Sequence, residues 1–153
     1  MHAVQLDLIW PTCYKILEFR WHHPEIKIIL QVGAKAFEAI DHNQDWLVSR
    51  LKNYGPAIDY VLLDKSGGRG LGMDVEGLRP YLRAIRDAGL TIGLAVAGGL
   101  GPDTMHLVEP LIPEFPDLSW DAQGKLRPSG NAMDSIDWNM AGEYVKKASK
   151  ILK

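Results

Sequence analysis

Apolar residues along this chain follow two alternating rhythms. Short runs rich in branched side chains, at residues 3–7, 26–32, 59–64 and 91–97, have the length and composition of strands, and residues 115–120 repeat the form more weakly. Between them, apolar positions recur at the three-to-four spacing of amphipathic helices. Ile16, Leu17 and Phe19 carry the first helix from Pro11, which suits an opening turn, to Arg20, with Pro24 ending it. Trp46, Leu47, Arg50 and Leu51 carry the second to Gly55. Leu78, Leu82, Ile85 and Ala88 carry the third to Gly89, with Pro80 at its start after a one-turn lead-in. A short fourth helix is expected to open at Pro102. The last has the longest stripe, running from Ile136 through Met140, Tyr144, Val145, Ala148 and Ile151 to Leu152. Lys146, Lys147 and Lys150 face water there, and Asp134 takes the capping position.

Nearly continuous apolar strands alternating with helices imply a parallel sheet covered by helices and joined by right-handed crossovers, so the fold class is α/β. Successive strands begin near residues 3, 26, 59, 91 and 115, or about 28 residues per unit, and eight such units fill the ~200–250 residues of a closed barrel. This chain has five. The pattern predicts a partial TIM (β/α)8 barrel of parallel strands in chain order, with all carboxyl ends on one ligand face. No linker-like or low-complexity tract interrupts it, so residues 1–153 read as a single domain, with residues 121–133 the longest irregular piece.

Composition changes this picture mainly by exclusion. Hydrophobic residues make up 46% of the 153, enough for one core and too many for a disordered chain. The 17 basic and 19 acidic residues leave a net charge of -2 without a run of one sign, so nothing marks a nucleic-acid arm. A single cysteine, Cys13, excludes an internal disulfide framework and points to a reducing compartment, the cytoplasm. The longest nearly uncharged stretch, residues 90–102, is well short of the ~20 residues that cross a bilayer, and the N-terminus lacks the basic head and apolar run of a signal peptide. His2, His42 and His106 show no ligand spacing, and His22 and His23 are adjacent and point apart on a helix, so no metal or other cofactor is implied.

Three segments carry candidate chemistry. Asp64 stands at the carboxyl end of a strand and is followed by Lys65, Ser66, Gly67, Gly68, Arg69 and Gly70, where α/β folds bind ligands. Glycine N–H groups approach phosphates closely there, and Arg69 offers a charge-assisted bond; a flexible turn with a solvated arginine is the plainer reading. In the second segment a strand feeds Gly98, Gly99 and Gly101, with Pro102 opening a helix whose positive end favours an anion, or else a tight turn simply needs glycine. The third is Ser119, Trp120 and Asp121, in which Trp120 either floors a substrate or packs at the rim.

Taken together, these residues resemble phosphoribosylanthranilate isomerase, an eight-unit barrel of tryptophan synthesis. Ala3-Val4-Gln5-Leu6 is similar to that family's fourth strand, and the likeness runs to the C-terminus. Val61-Leu62-Leu63-Asp64 resembles the sixth strand, Gly67-Gly68-Arg69-Gly70 with Met73-Asp74 its following loop, and Ala97-Gly98-Gly99-Leu100 with Pro102 the seventh strand's phosphate loop. Asp117-Leu118-Ser119 fits the start of the eighth-strand motif, whose phosphate-wrapping Ser-Gly is Trp120-Asp121 here. The family's His-Gly after the fourth strand is Asp7-Leu8, and its first three strands, with the cysteine that serves as general base, have no counterpart; Cys13 does not correspond to it.

The resemblance implies an Amadori-type aldose-ketose isomerisation with Asp64 as general acid, and it leaves Asp7 or Asp121 as a substitute base at a strand end. It implies phosphate contacts at Gly67, Gly68, Arg69, Gly70, Gly98, Gly99, Gly101 and Ser119. The expected partner is a phosphorylated small molecule, with neither nucleic acid nor membrane, and the sheet is expected to be completed by a second copy or a preceding segment. The alternatives are an orphan phosphate-ligand-binding protein of barrel type without this activity, and another sugar-phosphate barrel enzyme.

Overall fold

The computed structural model describes residues 2–66 and 72–152. Five strands, β1 (Ala3–Leu6), β2 (Lys27–Gly33), β3 (Tyr60–Asp64), β4 (Gly93–Val96) and β5 (Ser119–Trp120), form one sheet in chain order, and every neighbouring pair is parallel. The helices are α1 (Cys13–His22), α2 (Ala34–Glu38), α3 (Gln44–Tyr54), α4 (Val75–Asp87) and α5 (Trp138–Ile151). The chain is thus α/β with a wholly parallel sheet.

Register sorts the strand side chains onto two unlike faces. Ile28, Leu30, Val32, Val61, Leu63 and Val96 point one way and join Ile16, Phe37, Leu47, Leu51, Leu78, Leu82 and Ile85 of α1 to α4 in one buried cluster. Tyr144, Ala148 and Ile151 of α5 pack against the same cluster, so all five helices cover one face. Burying each large aliphatic side chain contributes about 1.5–3 kcal/mol, and that side holds the fold. On the opposite face Ile29, Leu62, Ala95 and Ala97 form a small separate cluster to which, among the described residues, no helix contributes. There Tyr60 and Gly93 are cross-strand partners, and the Tyr60 ring lies so close over Gly93 that a Cβ at position 93 would stand 2.2 Å from two ring carbons.

At the amino end of β3, Asp59 ties three elements together. It accepts bonds from Arg20 of α1, from Lys27 at 3.0 Å and from the Ile28 N–H at 2.9 Å. Three arginines of α4, Arg79, Arg83 and Arg86, hold Glu114 of the loop before β5, and the Arg83 bond first among them draws its carboxyl down to about 2.

Among the described residues the sheet ends in two unpaired edges, β1 and β5. Tyr14, Leu17 and Trp21 make one stripe on α1 that faces water, with Trp21 85% exposed; Trp138 and Val145 of α5 and its capping residue Leu152 do the same at seven-residue spacing.

Several elements differ from the sequence pattern. No α-helix opens at Pro102: two single 3-10 turns, Met105–Leu107 and Glu109–Leu111, stand there, since Pro110 and Pro113 lack the N–H groups a continuous helix requires. Asp137, not Asp134, caps α5 by accepting from the Asn139 and Met140 N–H groups, and Ile136 lies outside the helix. Asp134 instead braces the preceding loop, accepting from the Ser129 hydroxyl at 2.6 Å. Val145 and Leu152, expected in the core-facing stripe, are exposed, while Lys147 donates to the Pro102 carbonyl. Helix α1 begins at Cys13 after Thr12 rather than at Pro11, and α4 begins at Val75 behind the Asp74 cap, so Pro80 lies inside it. The Ala-rich α2 was not expected.

Candidate functional site

A parallel sheet brings the carboxyl ends of all its strands to one rim, and the register lays candidate residues along that rim in a row. Gly33 pairs with Asp64, the Ala97 N–H bonds the Leu63 carbonyl, and the Asp121 N–H bonds the Val96 carbonyl. Asp64, Ala97 and Asp121 therefore follow one another across β3, β4 and β5 on the face without helices. Asp7 follows β1 on the same face, 3.9 Å by Oδ1 from where a Gly33 Cβ would be. Ser119 lies one step below Asp121 and is exposed, level with Ala95 and Leu62.

Asp64 is anchored by its own loop. The Ser66 N–H and hydroxyl both donate to its Oδ1, at 2.9 and 2.6 Å. Lys65 points elsewhere, lying over the Phe37 and Tyr81 rings at 5.9 and 5.4 Å and 4.0 Å from Asp74, which caps α4. Gly98, 34 positions along the chain from Asp64, meets it in space. A Cβ on Gly98 would stand 3.7 Å from Asp64 Oδ1 and 3.4 Å from Ser66 Cβ, and with φ at +135° the residue has a backbone that side chains rarely allow. Gly99 follows at +59°, and the Thr104 hydroxyl closes the loop by donating to the Gly99 carbonyl at 2.8 Å.

Two expected contacts take other forms. Gly101 is buried against Lys125, whose Cβ would be 2.4 Å from a Cβ at 101, so this glycine lets two loops pack. Without a helix at Pro102, the described residues bring no helix dipole to the loop, and among them backbone N–H groups and the shape of Gly98 and Gly99 are what favours an anion. Trp120 packs with the helix-side core, away from the face that carries Asp121. Gly67, Gly68, Arg69 and Gly70 lie outside the described residues.

Asp121 keeps one side open to solvent. Withdrawal of the rest of its carboxyl from water raises its pKa above the usual aspartate value, the Asp64 charge adds to the rise, and a bond from the Ala122 N–H works against it. Behind it, the hydroxyl of Tyr144 on α5 is buried with no hydrogen-bond partner among the described residues. Burial and the Asp121 charge both push the Tyr144 phenol's pKa up.

Ser66 and Tyr144 are the two residues sequence reasoning missed. A serine two positions after a strand-end aspartate is the signature of a local side-chain turn, whereas Tyr144 reads from its spacing only as core. Among the described residues no cluster of three histidines, cysteines or carboxylates could hold a metal ion, and no helix is long and apolar enough to cross a membrane. No family model matches the chain, and no curated protein matches it either.

Proposed function

We propose that this chain forms five units of a (β/α)8 barrel and acts on a phosphorylated sugar, as an isomerase of the phosphoribosylanthranilate isomerase type. One observation carries the reading: the strand-end Asp64 and the left-handed glycine Gly98 of the next strand's loop, far apart in sequence, form one corner of the carboxyl-end rim. A proton-transferring carboxyl group beside a backbone cradle for an anion is what isomerising a phosphorylated, N-linked ribose requires. Helices on a single face support barrel winding, since a doubly wound sheet carries them on both. The exposed stripes of α1 and α5 lie where further units, from this polypeptide or from a second copy, would join.

The test is direct. N-(5-phosphoribosyl)anthranilate, made in situ, is incubated with the chain and its conversion to the aminoketose is followed by chromatography. Turnover above the buffer rate that falls about 10²–10⁴-fold in Asp64→Asn supports the reading. Turnover that Asp64→Asn leaves unchanged removes Asp64 from the mechanism. A second reading, a binding protein without this activity, is favoured by Asp121 standing where the resembling family wraps phosphate; binding of ribose 5-phosphate without turnover selects it.

A further inference from the structure

The row along the rim holds two carboxylates in unlike settings. Asp64 and Asp121 flank Ala97, two strand spacings of ~4.8 Å apart, or about 10 Å between their backbones, which leaves room for a sugar ring between the side chains. Asp64 is held rigidly through Oδ1 by both donors of Ser66, and among the described residues Oδ2 makes no hydrogen bond. Asp121 follows the end of β5 and is exposed, with the Tyr144 hydroxyl, unpartnered among the described residues, behind it.

We propose that Asp64 and Asp121 work as one proton-transfer pair, with Asp121 the donor and Asp64 the acceptor, on a sugar phosphate laid across Ala97 and Gly98. The proposal rests on the isomerase reading and deepens it by reversing the role that resemblance gives Asp64. Asp121 gives its proton to the ribose ring oxygen as the C1–O bond breaks and the nitrogen lone pair forms a C1=N bond. Asp64 takes the proton from C2, and those electrons form C1=C2 and return the other pair to nitrogen. The C2 hydroxyl proton then passes to Asp121 as C2=O forms, while Asp64 delivers its proton to C1. Both carboxyl groups are restored, and no outside oxidant or reductant takes part.

Electrostatics favours the same order. Among the described residues the charged group that acts on Asp121 is Asp64, which raises its pKa, and Asp121 in turn raises that of Tyr144. A protonated Asp121 also removes the repulsion that a carboxylate would exert on a phosphate at Gly98 and Gly99.

Two measurements test this. In protein labelled with 13C at aspartate carboxyls, the Asp121 signal is expected to titrate above the usual aspartate range, and Asp64→Asn is expected to lower its midpoint. Sulfate, which stays divalent across the range, serves as anion probe. Its affinity is expected to weaken as pH rises through the Asp121 midpoint, and Asp121→Asn, exposed and isosteric, is expected to abolish that dependence with an unchanged circular dichroism spectrum. An Asp121 midpoint within the usual aspartate range, or one that Asp64→Asn does not move, overturns the pair whatever the activity. The titrations as expected, with no turnover of the N-riboside, overturn the isomerase reading and leave the order of protonation standing.

Discussion

Asp59 and Asp64 stand at the two ends of β3 and are held in opposite ways. The Asp59 carboxylate is closed in by Arg20, Lys27 and the Ile28 N–H, so its side chain joins α1, β2 and β3. Among the described residues the Asp64 carboxylate is tied only to Ser66 of its own loop, and it faces the glycine turn of the neighbouring strand. The amino end of the strand is a joint, and the carboxyl end is a rim where a ligand finds a carboxylate without breaking the fold.

Asp59 should make the protein acid-labile. Burial pushes its carboxyl up, but the Ile28 N–H, Arg20 and Lys27 outweigh burial and leave its pKa below the usual aspartate value. Its stabilising contribution is therefore complete above the unfolded value of about 3.9 and is lost as pH falls through the lower folded value. Asp59→Asn is expected to cost about 1–3 kcal/mol in urea unfolding at pH 7, with the difference from wild type shrinking toward pH 2. Equal losses at both pH values would show that shape, not charge, matters there.

Gly98→Ala places a Cβ in a backbone at φ +135° with Ser66 at 3.4 Å. The expected result is a loss of about 1–3 kcal/mol in stability together with weaker sulfate binding, measured by chemical denaturation and by amide shifts at residues 98–100. A stable variant with unchanged sulfate binding would separate this loop from the anion site.

Tyr144→Phe removes a buried hydroxyl that has no partner among the described residues. Its removal is expected to leave stability unchanged or raise it by up to about 1 kcal/mol, because an unsatisfied buried polar group is costly to keep. A clear loss of stability would reveal that the hydroxyl is bonded in solution, with water or Asp121 as the partner to look for.

The two exposed stripes should make the chain self-associate. Light scattering at tens of micromolar is expected to give a mass above that of one chain, and the double variant Trp21→Gln, Trp138→Gln is expected to lower it while circular dichroism is preserved. A monomer with a sharp thermal transition would show that both edges are tolerated in water.

The alternation of apolar strands with amphipathic helices made the parallel sheet and its order readable, because Ile28, Leu30, Val32, Val61 and Leu63 must all be buried on one face. Asp64 was readable for the same reason, as the first charge after such a run. The segment after Pro102 was not, since its apolar spacing fits a helix while its prolines limit bonding to single turns. The cap of α5 was misplaced by three positions because Asp134 and Asp137 are equally good capping residues, and only the Ser129 and Asn131 contacts show that Asp134 is engaged elsewhere. The Arg79, Arg83 and Arg86 grip on Glu114 joins residues about thirty apart, a distance no local pattern reports.

The overlap of the Tyr60 ring with the space above Gly93 ties two positions into one heritable unit. A side chain at residue 93 requires the Tyr60 ring to turn aside or to have been replaced by a smaller one, whereas a smaller residue at 60 leaves space that a later change at 93 can fill. Descendants of this sequence therefore have an easier path through a smaller residue at 60 than through alanine at 93, so exchange at the pair should be found in that order more often than in the other.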